Sequence, residues 1–144
     1  MDPTANTANL RRMLKVFIAE DSPMMRPRIV QLALQVDGLV ICGTAEAAAD
    51  VLRGIDASEP DALILDIHLR DGNALPDLKL ARLTHPHMLA IVCSNSATKP
   101  FREAAFAAGA DHFLDKSLEC ERIPEILESF KARFWTSHPS SAVQ

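Results

Sequence analysis

The stretch Val16-Phe-Ile-Ala-Glu-Asp-Ser-Pro-Met-Met25 decides how the chain is read. With Leu14 and Lys15 before it, the apolar and partly β-branched run to Ala19 has the character of a strand. It then stops on two adjacent acids, Glu20 and Asp21. Ser22 is a good N-cap and Pro23 suits the first helical position, so a helix should follow at once. A buried strand that passes into a helix across two carboxylates needs a counter-charge, and the rest of the chain must supply it.

The same strand-then-helix unit recurs along the sequence. Met25, Ile29, Leu32 and Val36 repeat at helical spacing until Asp37-Gly38 ends the first helix. Pro27 lies inside its first turns, where it costs a hydrogen bond or moves the start to itself. Leu39 to Gly43 reads as a second strand, and Ala45 to Ile55 as an Ala-rich helix. Ala62 to Leu65 is a wholly apolar third strand ending on Asp66, followed by an Asp71-Gly72 turn and a short helix from Leu75 to Leu83. Met88 to Cys93 is a fourth strand, ending on Ser94. Phe101 to Ala108 is a fourth helix, closed by Gly109. Asp111 to Leu114 is a short fifth strand, followed by Asp115 and Lys116. Ile123, Ile126, Leu127, Phe130 and Phe134 then form one apolar stripe, with Pro124 in the first turn.

Five strands alternating with five helices predict an α/β fold. It is a flavodoxin-like, doubly wound (βα)5 arrangement, with a five-stranded parallel sheet covered on both faces. Near-continuous apolar strands are what such a sheet requires. The 144 residues fit one domain, expected over residues 13–135. Residues 1–12 are expected to be a flexible N-terminal segment, and residues 136–144 a flexible tail or the start of a linker.

Composition narrows the function. The chain is 48% hydrophobic and 24% charged, as a globular domain is, and its formal net charge of -4 argues against a nucleic-acid partner or an anionic membrane. No apolar run reaches membrane-spanning length, and Met1 to Asn9 lacks a signal-peptide core. Cys42, Cys93 and Cys120 have no metal-like spacing. Cys42 and Cys93 read as small core hydrophobes, and the compartment as reducing cytoplasm.

In a doubly wound sheet the site lies beyond the carboxyl ends of the strands. Those ends carry Glu20 and Asp21, Asp66, Ser94 and Lys116. Two like charges ~4 Å apart repel by about 4 kcal/mol at an effective dielectric of about 20, and one lysine does not offset three carboxylates. Either a carboxylate takes a proton or a divalent cation sits among them. An all-oxygen site of this kind suits Mg²⁺. Beside such a cation Asp66 is already an anionic nucleophile, while Lys116 and the Ser94 hydroxyl can meet the oxygens of a transferred phosphoryl group.

The set Glu20-Asp21, Asp66, Ser94, Phe113 and Lys116, within the segments AEDSPMMRPRI, DALILDIHLRDGNAL and FLDKS, resembles the receiver domain of bacterial two-component response regulators. The resemblance covers roughly Leu14 to Phe134. It implies that Asp66 is the phospho-acceptor, charged by a sensor histidine kinase or a histidine phosphotransfer protein. It implies a Mg²⁺ cofactor bound by Asp21 directly, by Glu20 through water, by Asp66, and by the backbone carbonyl of His68. Lys116 would pair with Asp66 and then with the phosphoryl group. Ser94 would move toward that group, and Phe113 would turn inward into the space it leaves. The surface of the fourth helix, fifth strand and fifth helix would then change for a downstream protein target. Phe101, Arg102 and Arg122 could contribute to a phosphorylation-dependent homodimer on that face. Such a domain assists only its own phosphorylation and dephosphorylation, and this chain by itself would contact no nucleic acid and no membrane.

Three departures stand out. Ser117 follows Lys116 where the family commonly has proline, Arg70-Asp71-Gly72 takes the turn after the acceptor, and the switch position is Phe rather than Tyr. The short segment after Lys116 leaves room for the last helix and no output domain. That fits a stand-alone receiver or one cut from a DNA-binding regulator. A non-phosphorylated interaction module on the same fold is the alternative. A flavin protein is disfavoured because Glu-Asp-Ser-Pro would repel a phosphate, and an aspartyl phosphatase because His68 stands where a second acid would be wanted.

Overall fold

The computed structural model describes residues 13–137. Five strands form the main sheet, β1 Leu14–Ala19, β2 Leu39–Ala45, β3 Ala62–Asp66, β4 Leu89–Ser94 and β5 His112–Asp115, and a separate two-residue hairpin pairs His68–Leu69 with Gly72–Asn73. Five helices alternate with them: α1 Met25–Ala33, α2 Ala48–Ser58, α3 Leu75–Thr84, α4 Lys99–Ala107 and α5 Ile123–Ser137. The sheet order is β2-β1-β3-β4-β5, with every pairing parallel. This is the doubly wound parallel sheet that the alternation predicts. The order reverses between β1 and β3, and that switch point opens a crevice at the carboxyl ends of both strands.

The period of two along each strand divides the core. Leu14, Val16 and Ile18 of β1, Ile64 of β3 and Ile91 of β4 face one side, under Ile29 and Leu32 of α1 and Ile123 and Leu127 of α5. Phe17 and Ala19, Leu63 and Leu65, and Val92 face the other, under Val51 and Ile55 of α2, Leu78 of α3 and Ala105 of α4. Each large side chain buried this way is worth about 1.5–3 kcal/mol before chain entropy is subtracted. A one-residue slip in any strand would exchange the two sets.

Several boundaries differ from the sequence reading, each for a local reason. β2 continues past Gly43 because Thr44 and Ala45 pair with Ile18 and Ala19. Consequently α2 begins at Ala48, not Ala45. The Asp71 carboxylate caps it, accepting the backbone N–H groups of Ala48 and Ala49. α4 begins at Lys99, not Phe101, after Thr98 in extended conformation. Ser22 does act at the head of α1, since its Oγ accepts the Met25 N–H at 3.1 Å and its carbonyl accepts the Arg26 N–H. Val36 lies beyond the end of α1 yet is buried. α5 runs on to Ser137. The tail expected over residues 136–144 thus gives its first two residues to α5, and the flexible segment expected for residues 1–12 and the rest of that tail, residues 138–144, lie outside the described residues.

Phe17 is the tightest point of the second core. A Cβ added at Gly54 of α2 would sit 2.5 Å from its Cζ, and one added at Gly43 of β2 would sit 2.8 Å from its Cε2. Overpacking costs about 1–3 kcal/mol, while alanine gains about 1 kcal/mol over glycine in a helix. Gly54→Ala should therefore lose up to about 2 kcal/mol of unfolding stability in denaturant and gain none, and Phe17→Leu in the same chain should recover part of any loss. A Gly54→Ala protein more stable than the parent by the full helix gain of about 1 kcal/mol would contradict this packing.

Candidate functional site

β1 and β3 are neighbours, so their carboxyl ends bring Glu20, Asp21 and Asp66 together. One carboxylate oxygen from each lies within 4.8 Å of the other two. Glu20 is fully buried, Asp66 nearly so, and Asp21 half-buried. Ser94 ends β4 and is buried, and Lys116 follows β5, where its N–H continues the ladder by donating to the Ser94 carbonyl. The lysine side chain then reaches back across the sheet edge. Its Nζ donates to Asp66 Oδ2 at 2.8 Å and lies 2.6 Å from Glu20 Oε1.

The site is thus built around one ammonium shared by two buried carboxylates. Glu20 Oε2 accepts the Ser22 N–H at 3.0 Å, but Oε1 has no aligned hydrogen bond, so its contact with Lys116 is an ion pair only. Burial pushes the Glu20 carboxyl above its ordinary range, against the opposing pull of Lys116. Burial also disfavours the charge on Lys116, yet the carboxylates of Asp66 and Glu20 beside it outweigh that and raise its pKa. The Asp66 Oδ1 atom accepts the His68 N–H at 3.2 Å.

Three carboxylates around one ammonium leave the edge negative, and a buried carboxylate oxygen lacks an aligned donor. This donor set is hard and all-oxygen, and it fits a divalent cation of the Mg²⁺ type. A cleft of about 640 Å³ lined by Pro60, His85, His87, Met88, Phe130 and Phe134 lies at the opposite, amino-terminal edge of the sheet. It contains none of these groups, and the chemistry belongs to the carboxyl edge.

Ser94 and Phe113, the residues expected to switch, have a definite arrangement. Ser94 Oγ is held by its own loop, accepting the Ser96 N–H at 3.0 Å and donating to the Ser96 carbonyl. Phe113 is already inward, only 4% exposed, with the Arg102 guanidinium 4.7 Å above its ring. The inward turn expected to follow movement of Ser94 is therefore not required in this conformation. The exposed His68 ring meets Phe101 edge-on at 5.3 Å. Phe101 and Arg102 thus hold neighbours within the chain, and Arg122 pairs with Glu119 and Glu125. Ser117 is accommodated by Asp115, whose carboxylate accepts both its N–H and its hydroxyl, and the peptide before it is trans.

Sequence reading missed the Glu20–Lys116 contact. The two residues are far apart in the chain and their strands are not neighbours, so no local pattern records it. It also read Asp71 as a turn residue only, although an acid ahead of Gly72 was the available signal for a cap.

The chain matches the family model described as response regulator receiver domain over residues 16–128. It belongs to that family: it is the receiver domain of a two-component response regulator. It is 26% identical over 121 residues to the probable C4-dicarboxylate response regulator DctR of Bacillus subtilis, covering 84% of this chain and 54% of that protein. It is 28% identical over 116 residues to the chemotaxis protein CheY of Listeria monocytogenes, covering 81% of this chain and 97% of CheY. A CheY-like receiver domain protein of Methanospirillum hungatei shares its fold with a TM-score of 0.75 at 19% identity, over 87% of this chain and 98% of that one. The chain spans about half the length of the first curated relatives it matches. Among the described residues no helix is long and apolar enough to cross a membrane.

The raised pKa of Lys116 has a consequence for stability. Between its ordinary value of 10.5 and the higher folded value, the folded chain keeps a proton the unfolded chain has lost. That contribution is therefore complete below pH 10.5 and is lost as pH rises through the folded value. The chain contains no tyrosine to obscure this range. Denaturant unfolding of the parent should weaken more steeply above that pH than unfolding of Lys116→Met, which should itself lose about 3–5 kcal/mol at neutral pH by leaving two buried carboxylates unpaired. Equal alkaline slopes would contradict the triad.

Proposed function

We propose that the chain is a phosphorylation-switched receiver in which Asp66 takes a phosphoryl group from a phosphohistidine donor. The observation that carries this is the carboxyl-edge cluster: Asp66 at the switch point, tethered by Lys116 and flanked by Glu20 and Asp21. An Asp66 carboxylate oxygen attacks phosphorus. The new P–O bond forms as the P–N bond to the donor imidazole breaks, and the electron pair and then a proton go to that nitrogen. A carboxylate paired with the Lys116 ammonium is itself the nucleophile and needs no base.

Asp21 directly, Glu20 through water, Asp66, and the His68 carbonyl would hold Mg²⁺. When bound, the ion supplies charge neutralisation for the transferred group. The chain's own residues do the rest. Lys116 moves its ammonium from the Asp66 carboxylate to an oxygen of the new acyl phosphate, a shift that its flexible stem permits. Ser94 exchanges its Ser96 partners for that group, donating its hydroxyl to another oxygen. Phe113, already inward, then fixes the surface formed by α4, β5 and α5, which is offered to a downstream protein target or to a second copy of the chain.

The donor is a sensor histidine kinase or a histidine phosphotransfer protein, and the setting is the cytoplasm. Met24, 85% exposed while Met25 packs inward, would meet that donor. The domain acts on its own phosphoryl group and on no outside substrate.

The test is intact mass after incubation with acetyl phosphate. One phosphoryl adduct should form with Mg²⁺, fall sharply without it, and be absent in Asp66→Asn. No adduct from either acetyl phosphate or a phosphohistidine donor, in a protein that does not bind Mg²⁺, would point to a non-phosphorylated interaction module.

A further inference from the structure

The corner between β2 and α2 joins the two segments that carry the acidic cluster. Glu46, the first residue after β2, meets two arginines, one from α1 and one from the hairpin after Asp66. Arg26 Nη1 donates to Glu46 Oε1 at 2.6 Å and to the Glu20 carbonyl at 3.3 Å. Arg70 Nη1 lies 3.6 Å from Glu46 Oε2, and the Arg70 N–H donates to the Glu46 carbonyl at 3.3 Å. The neighbouring Ala45 carbonyl accepts the Glu20 N–H at 2.9 Å. The main chain of Glu20 is therefore held on both sides, through its N–H by Ala45 and through its carbonyl by Arg26. Asp71, next to Arg70, adds its bonds to the Ala48 and Ala49 N–H groups of the same corner.

We infer that Glu46 is a positioning residue for the cation site: by holding Arg26 and Arg70 together, it fixes the spacing of the Glu20-Asp21 segment from the loop of Asp66 and His68. The inference rests on the receiver reading, in which those two segments share Mg²⁺. As stabilisers alone these contacts would add little, because exposed ion pairs contribute little to folding. Their arrangement carries the inference. One carboxylate is shared by two guanidiniums from segments far apart in sequence, and both segments also bond to the backbone of one corner. A cation held from two loops binds well when their spacing is set beforehand, since binding need not then order them. Removing a group that supports a metal ligand typically costs about 10–100-fold in affinity or activity.

Charge and position make opposite demands on these residues. Through space, the Glu46 carboxylate attracts a cation to the site and the Arg26 guanidinium repels one. If charge alone mattered, Glu46→Asp would bind Mg²⁺ as the parent does, and Arg26→Gln would bind it more tightly. Positioning requires weaker binding in both. Aspartate keeps the charge but is one methylene shorter, so it loses its hold on one guanidinium or both. Glutamine in place of Arg26 gives up the ion pair with Glu46 and the guanidinium bond to the Glu20 carbonyl.

The test is a pair of NMR measurements on the isotope-labelled full chain: backbone hydrogen exchange without metal, and titration with Mg²⁺. In Glu46→Ala the Glu20 and Arg70 amides should exchange several-fold faster, while those of α5 keep the parent rate. Mg²⁺ should bind about tenfold more weakly to Glu46→Ala, Glu46→Asp and Arg26→Gln alike. Glu46→Ala and Arg26→Gln combined should bind no more weakly than Arg26→Gln alone, because both break the same contact. Unchanged exchange at Glu20 and Arg70, parent-like affinity in Glu46→Asp, tighter binding in Arg26→Gln, or additive losses in the combined variant would overturn the proposal. A parent protein that binds no Mg²⁺ would count against the receiver reading. The exchange comparison, made without metal, would still decide whether Glu46 holds the two segments.

Discussion

The Lys116 ammonium, held 2.6 Å from Glu20 and 2.8 Å from Asp66, is the interaction on which the site depends. Two carboxylates do not remain ionised in a protein interior without a cation, and a lysine is not stable there without an anion. Each group makes the others tolerable, but one positive charge does not neutralise three acids. The residual negative charge, left at the mouth with Asp21, suits the edge to a divalent cation. In the receiver function proposed above, the same lysine is the resting counter-ion and then a partner for the incoming anion.

The fold delivers this contact through its topology. β1 and β3 are adjacent, so their terminal acids converge, while β5 at the sheet edge sends Lys116 back over β4 and β3. Backbone bonds make the reach reproducible. The Lys116 N–H joins Ser94, the Asp115 carboxylate closes the turn over Ser117, and Cys120 supports the Lys116 carbonyl. On the far side, Arg102 over Phe113 and Phe101 against His68 connect α4 both to β5 and to the loop after Asp66. Any change at Asp66 therefore meets α4 by two routes.

Most of the fold was legible in the sequence because its signals are local. β1 and β3 follow directly from apolar runs, and the stripe of Ile123, Ile126, Leu127 and Phe130 marks α5. The acids could be placed at one edge because strand ends converge in a parallel sheet. What failed was set by partners distant in sequence. Ala45 belongs to β2 because Ala19 pairs with it, and α2 starts late because Asp71 caps it from another loop. The Arg102 guanidinium over the Phe113 ring is likewise a contact that no spacing rule records.

The most direct test of this account is to trap the phosphoryl group chemically. The protein, charged by a phosphohistidine donor with Mg²⁺, is reduced with borohydride, which converts an acyl phosphate on aspartate to homoserine, and is then digested and sequenced by mass spectrometry. The account predicts homoserine at position 66 and at no other acid. Reduction at Asp21 or Glu20, or a phosphate on Ser94 that resists borohydride, would contradict it.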